Sequence, residues 1–347
     1  MAAKTYYALK KKKSIVDVAK ELNVSTATLS FVLNGRGREK RISEELIKRI
    51  EEYIEATGYK PNFFGKSLRT GKSQTICMIV EDIADPFFSE VASGIEKKAF
   101  EAGYKLVVSS CNNEPEKIRE VITLMSDRNV DGFIIAPTIQ IEDLILKLQE
   151  EGKPLILFDR YLPEIETFNV IVDNEYGSYK ATEHLFDNGF KNIAFITLES
   201  EQTQMQGRLK GYLKFIEENE SASKVLQIKY ELQYEQITRK IKTFLKDNPE
   251  IDAILFGTNY LTVGGIKALK LLGTMGNKIG YVSFDDHFYY ELFTPSITAV
   301  SQPIELLSST IINNMLDMLD TTKKTQKKKE TIILPVSLII RQSSIPK

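Results

Sequence analysis

Along the first sixty positions, apolar residues recur at the three- to four-residue spacing of helices. From Ser14, the residues Ile15, Val18, Ala19 and Leu22 share one helical face, which predicts a helix over 14–22. Only Asn23 and Val24 separate it from Ser25, whose hydroxyl suits the N-cap of a second helix over Thr26–Leu33. A third segment starts at Ser43 with Glu44 and Glu45 in its first turn. It presents Leu46, Ile47, Ile50 and Ile54 as an apolar face and stops at Thr57-Gly58. Two helices with so short a link, supported by a third, have the layout of a helix-turn-helix.

Beyond Pro61 the period changes. Short apolar runs stand at Ile76–Val80, Leu106–Val108, Gly132–Ala136, Pro154–Phe158, Ile193–Ile196, Ala253–Phe256 and Ile279–Phe284, alternating with polar stretches of helix length. This alternation predicts parallel sheets covered by helices on both faces, with more strands than one small sheet needs. Two α/β subdomains facing a cleft are expected, over about 74–160 plus 288–320 and 161–287 plus 321–342. The lysine-rich Thr321–Lys329 reads as a surface loop before a last strand at Thr331–Ile340. Ligands of such sheets bind beyond the carboxyl ends of strands, so the residues just after each apolar run are the candidates.

Charge sharpens the division. The chain has 46 Lys and Arg against 47 Asp and Glu, but residues 1–72 hold 16 basic and 8 acidic residues, a net +8. The remainder is net −9, so an anionic partner is expected for the N-terminal part alone. No apolar run approaches 18 residues and the first residues lack the apolar core of a secretory signal, which predicts a cytoplasmic protein without membrane attachment. Cys77 and Cys111 sit in apolar surroundings and read as buried free thiols. His184 and His287 are poor material for zinc, and no cofactor is expected. His184 reads as a packing residue. Gly71-Lys72-Ser73 ends like a phosphate-binding loop, but Gly65 stands one residue too far away and the strand follows instead of preceding it.

Asp17-Val18-Ala19, Val24-Ser25, Val32-Leu33-Asn34 and Gly58-Tyr59-Lys60-Pro61-Asn62, in this order, resemble the DNA-binding head of the LacI/GalR family of bacterial regulators. The resemblance extends over essentially the whole chain. It implies an all-α helix-turn-helix head (1–60) joined by a hinge helix and linker (61–73) to an α/β body (74–347) of two subdomains, like a periplasmic binding protein. A recognition helix reads base edges with its N-terminal residues, here Thr26, Ala27 and Ser30, of which Thr26 and Ala27 are small and suited to a thymine methyl or a hydroxyl-accepting edge. Ser14, Thr28, Phe31 and Asn34 complete the expected surface. Arg36, Arg38 and Arg41, in a loop about three residues longer than the family norm, are assigned to phosphates, with Lys10 to Lys13 as a further basic arm. Phe31 departs from the family's arginine.

In the family, paired hinge helices lie in the minor groove and insert a leucine each. Leu68 matches that leucine, with Asn62 and Lys66 beside it, while Gly65 replaces the usual alanine. The body's Asp85-Pro86-Phe87-Phe88, Asp159, Arg160, Arg208, Gly211, Asn259, Asp285-Asp286 and Gln302 match positions lining the family's ligand cleft, and Tyr260 stands where the family has Asp. Carboxylates, guanidinium groups and amides suit the hydroxyls of a sugar or sugar phosphate, with Phe87, Tyr234 or Phe288 as the aromatic face. Arg208 and Asp285 are expected to reach the cleft from one half, and Asp159 and Gln302 from the other. The resemblance implies a homodimeric, ligand-controlled regulator, most simply a repressor of carbohydrate-use genes on a pseudo-palindromic operator. A tetramer held by a C-terminal helical bundle is not expected. The rivals are a sugar receptor without a DNA role and an enzyme on the same scaffold, for which no nucleophile–base pair is visible.

Overall fold

The computed structural model describes residues 13–33, 35–59, 72–230, 232–274, 279–320, 322 and 329–346. The chain divides into two units, Met1–Gln74 and Thr75–Lys347.

In the first unit the expected helices are α1 (Ile15–Glu21), α2 (Thr26–Leu33) and α3 (Glu44–Thr57). Ser14 caps α1 reciprocally: its Oγ accepts from the Asp17 N–H while its own N–H donates to the Asp17 carboxylate at 2.9 Å. Ser25 Oγ accepts the Thr28 N–H at 3.0 Å and so starts α2. Gly58, at φ +61°, turns the chain out of α3 through the left-handed region that glycine enters without steric cost. Val18, Leu22, Leu29, Val32, Ile50 and Tyr59 close a small core.

Among the described residues the second unit holds two six-stranded sheets. Sheet one contains β1 (Thr75–Val80), β2 (Lys105–Ser110), β3 (Gly132–Ile135), β4 (Leu155–Phe158), β5 (Asn169–Val172) and β11 (Thr331–Leu334), in the order β11-β5-β4-β3-β1-β2, all parallel. Helices α4 (Pro86–Glu101), α5 (Pro115–Asp127), α6 (Glu142–Glu150) and α11 (Ile304–Leu319) accompany it. Sheet two contains β6 (Ile193–Leu198), β7 (Lys224–Ile228), β8 (Ala253–Phe256), β9 (Gly280–Phe284), β10 (Thr298–Ser301) and β12 (Ser337–Ile339), ordered β12-β10-β9-β8-β6-β7, with only β12 antiparallel. Its helices are α7 (Asn174–Asp187), α8 (Thr203–Glu218), α9 (Tyr234–Asp247) and α10 (Asn259–Leu272). Strands buried on both faces, such as Ile76–Val80, explain the continuous apolar runs.

The expected subdomain ranges are corrected. β5 and β11 belong to the first sheet, whereas β10 and the 3₁₀ turn Phe288–Leu292 lie with the second half. No helix follows β4; the loop to β5 makes the crossover unaided, with Asp159 N–H donating to the Val170 carbonyl, so the chain stays in the first sheet for one strand more. The last strand expected at Thr331–Ile340 is two strands in two sheets. Pro335, which has no N–H for a ladder, stands between them as the chain passes from one half to the other. The chain thus crosses between the halves after β5, after β10 and after β11.

Cys77 and Cys111 are buried free thiols, and burial pushes Cys77 up to about 12. Among the described residues no helix is long and apolar enough to cross a membrane.

Candidate functional site

In the head, α2 presents Thr26 and Ala27 to solvent, with Phe31 one turn beyond Ala27 and the Lys40 ammonium 5.7 Å from its ring centre. Thr28 is tied back, its hydroxyl 2.8 Å from Ser25 Oγ. Ser30 is corrected: it is 6% exposed, because it lies on the flank of α2 that carries Leu29 and Leu33, turned away from the open side of Ala27 and Phe31. Ser14 serves as a helix cap. Arg36 makes two bonds to Glu39 and Arg38 two to Glu44, so both pair internally on the surface. Such exposed pairs are weak enough to be exchanged for phosphates. Arg41 is exposed. Asn34, Asn62, Lys66 and Leu68 lie outside the described residues.

In the body, the carboxyl ends of both sheets converge on one cleft. Within each sheet the first strand lies between the second and third, a reversal of strand order that opens a crevice at the strand ends. Glu81 follows β1, Asp159 and Arg160 follow β4, Asn259 follows β8, and Asp285 follows β9. Asp159 and Asp285 hold φ of +67° and +73°, a region a non-glycine residue enters at a cost.

Arg160, 2% exposed, spends all three guanidinium nitrogens within the site. Nε donates to Asp159 at 2.9 Å, Nη1 to Asn113 at 3.0 Å and Nη2 to Glu81 at 2.8 Å. Burial alone would raise the Glu81 carboxyl, but the Arg160 charge outweighs it and holds the group below its ordinary range. Asp159, 6% exposed, is pushed upward by burial despite the same arginine. Opposite, Arg208 lies 3.7 Å over the Phe284 ring, donates from Nε to Asn174 at 2.8 Å and from Nη1 to the Gly257 carbonyl at 2.7 Å. Nη1 also stands 3.5 Å from Asp285; Nη2 has no hydrogen bond among the described residues. Gln302 donates to Asp285 at 2.6 Å.

Gln302 therefore approaches from the half that carries Arg208 and Asp285, correcting its expected place: it follows β10, a strand of the second sheet. Phe87 lines the cleft interior. Tyr234 does not: it starts α9, is 39% exposed, and donates to the Val263 carbonyl with Lys267 over its ring. Phe288 is 82% exposed and lines, with Glu90 and Asp286, a cavity that adjoins the cleft interior at Phe87, Asp285 and Gln302. Gly211 packs α8 against α7, and Asp286 is committed to Arg341 at 2.7 Å. His184 is part-buried and bonds Ser344.

Sequence reading missed Glu81, Gln202, Gln204 and His287. Glu81 had a signal, a charged residue directly after the first apolar run; the others have none beyond nearness to a strand end. Asn259 ties several together, its amide lying 3.0 Å from His287 Nε2 and 3.4 Å from the Asp85 carboxylate across the cleft. Gln202 donates across it to Asn113 at 3.2 Å, and the Tyr161 N–H to Thr203 at the same distance. With these contacts made, the interior encloses about 50 Å³, room for little more than water, beside a cavity of about 790 Å³ that shares Leu198 and Gln202. Opening is required before a larger molecule enters.

Residues 14–62 match the model of bacterial regulatory proteins of the lacI family, and residues 73–342 match that of periplasmic binding proteins and the sugar binding domain of the LacI family. Among curated proteins, the transcriptional regulator DegA of Bacillus subtilis is 28% identical over 96% of this chain and 99% of its own length. The ribose operon repressor of Halalkalibacterium halodurans is 29% identical over 95% and 97%. The Lac repressor dimer bound to operator and the anti-inducer ONPF superposes with a TM-score of 0.83 at 21% identity, covering 96% of this chain and 100% of that one. A regulator from Enterococcus faecium with bound ribose gives 0.70 at 24% identity over 79% and 99%. The head, the two-sheet body and these matches agree: the chain belongs to the LacI family of DNA-binding transcription regulators.

Proposed function

We propose that the chain is a homodimeric, cytoplasmic repressor of carbohydrate-use genes, whose DNA affinity is set by a small polyhydroxylated effector in the cleft. One observation carries this reading. Arg208, Asp285, Gln302, Asp159 and Arg160, contributed by both halves, converge at the carboxyl ends of the strands, and Arg208 keeps one nitrogen for a ligand hydroxyl. Arg208 and Asp285 together offer donors and acceptors to neighbouring hydroxyls, the pairing a sugar needs. The matched ribose-bound regulator supports a sugar effector, and the operator-bound Lac repressor dimer supports two heads on a symmetric operator. Three of the cleft carboxylates, Glu81, Asp159 and Asp285, are paired with Arg160 or Arg208, which suits binding better than turnover.

In the head, Thr26, Ala27 and Phe31 would meet base edges, with Thr28 supporting them, and Arg36, Arg38 and Arg41 would meet phosphates. The test is a thermal-shift and titration screen of the full chain against pentoses and hexoses, with Arg208→Ala in parallel. A sugar that stabilises wild type and loses its effect in Arg208→Ala supports the cleft as sensor. A normal response in the variant would exclude it.

A further inference from the structure

The cleft interior is unbalanced in both charge and hydrogen bonding. Four carboxylates face it (Glu81, Asp85, Asp159 and Asp285) against two guanidinium groups. All three Arg160 nitrogens already bond within the site, to Asp159, Glu81 and Asn113, and among the described residues Nη2 is the Arg208 nitrogen that makes no hydrogen bond. Two further acceptors are idle. Gln204, 4% exposed, and Gln302, 7% exposed, both line the interior, and the Oε1 of each has no hydrogen-bond partner among the described residues. One N–H of each amide is engaged, Gln204 donating to Gln202 at 3.2 Å and Gln302 to Asp285 at 2.6 Å, so turning either amide to withdraw its idle oxygen would lose that bond.

Among the described residues, Glu81 and Asp159 pair with Arg160 and Asp285 with Arg208, while Asp85 has no cation in contact. Its contacts are the Phe87 N–H at 2.8 Å and the Asn259 amide at 3.4 Å, and Asp285 acts on it as a like charge. An anionic ligand would enter a site of surplus negative charge with one free guanidinium nitrogen to receive it. A ligand rich in donors and carrying a positive charge would satisfy Gln204 and Gln302 and neutralise Asp85.

We propose that the effector is an amino polyol, such as an amino sugar, whose protonated amine pairs with Asp85 while its hydroxyls meet Arg208, Gln204 and Gln302. This rests on the cleft being the effector site. It narrows the expected sugar or sugar phosphate to an unphosphorylated, amine-bearing class. The carboxyl end of β1 then acts as the selector, because Asp85 belongs to the loop after that strand while Arg208 and Gln302 come from the other half.

The test titrates the full-length protein at pH 7 with matched trios: glucose, glucosamine and glucose 6-phosphate, and the galactose and mannose equivalents. The expected result is that one amine form binds about tenfold or more tightly than its parent sugar. The phosphate of the same series should bind weakest. Asp85→Asn, which keeps a good N-cap on α4, should bring the amine form down to the affinity of its parent. The inference is overturned if no amine form exceeds its parent, if a phosphorylated form binds best, or if Asp85→Asn leaves the preference intact. Arg208→Ala separates this from failure of the cleft reading. Parent-sugar binding lost in that variant keeps the cleft and removes only the amine, whereas binding that survives removes the cleft itself.

Discussion

Asp85 shows how one side chain can be poised by its surroundings. Burial and the nearby Asp285 charge push its carboxyl up to about 6, while the Phe87 N–H and the Asn259 amide pull the other way. Because the folded value lies above the ordinary one, the ionised group costs stability, and the sign follows. The cost is absent below about pH 4, grows between 4 and 6, and is complete above 6. Asp85→Asn should therefore unfold later than wild type in urea at pH 7.5, by up to about 3 kcal/mol, and the gain should shrink toward pH 4.5. A gain that is equal at both values would show that ionisation is not its source. Gly211 illustrates a different constraint. A Cβ there would stand 2.0 Å from the Glu175 carbonyl oxygen of α7, which is backbone and cannot yield cheaply. Gly211→Ala is expected to cost about 1–3 kcal/mol in denaturant unfolding of the body.

At the scale of elements, capping chemistry and periodicity carry most of the head. Ser14, Ser25, Ser43 and Gly58 are where their side chains or backbone freedom predicted, and α2 ends at the expected Leu33. Ser25→Ala removes the acceptor for the Thr28 N–H and should destabilise α2 by about 1 kcal/mol, read as a lower melting temperature of the head. The central strands were legible for a simple reason: burial on both faces writes an unbroken apolar run. β5, β7 and β10 were not, because Lys224–Ile228 is an edge strand only partly buried, and Asn169–Val172 and Thr298–Ser301 are four-residue strands with polar residues among them. The recognition surface was readable in its helix but not in its faces. Ser30 looked like Thr26 in composition, and only the packing of α2 beside Leu29 separates the two. In the cleft, residues just after apolar runs (Asp159, Asn259, Asp285) were found by position, while Gln204 and His287 depend on the course of the chain after the strand ends. Tyr234 failed for the same reason, since its ring turns to Lys267.

At the scale of the molecule, a +8 segment precedes a −9 body, so DNA affinity should reside in the head and fall steeply with salt as Lys and Arg displace counterions. Measured operator affinity between 50 and 200 mM salt should drop by orders of magnitude, and a chain lacking residues 1–60 should retain sugar binding but not operator binding. Persistent sequence-specific binding by the truncated body would refute that division. The body offers the complementary device: two sheets, three crossing segments, and a cleft held shut by Gln202–Asn113, Tyr161–Thr203 and Asn259–Asp85. An effector changes operator affinity only by the amount it prefers one arrangement of the halves, typically about 1–3 kcal/mol. The direct test of this coupling is reciprocal titration. Operator affinity is measured with and without saturating effector, effector affinity is measured with and without saturating operator, and both are repeated in Arg208→Ala. The account predicts that the two ratios agree, within about 5–150-fold, and that both fall to one in the variant. Operator affinity unchanged by an effector that fills the cleft, or a ratio that survives Arg208→Ala, would contradict it.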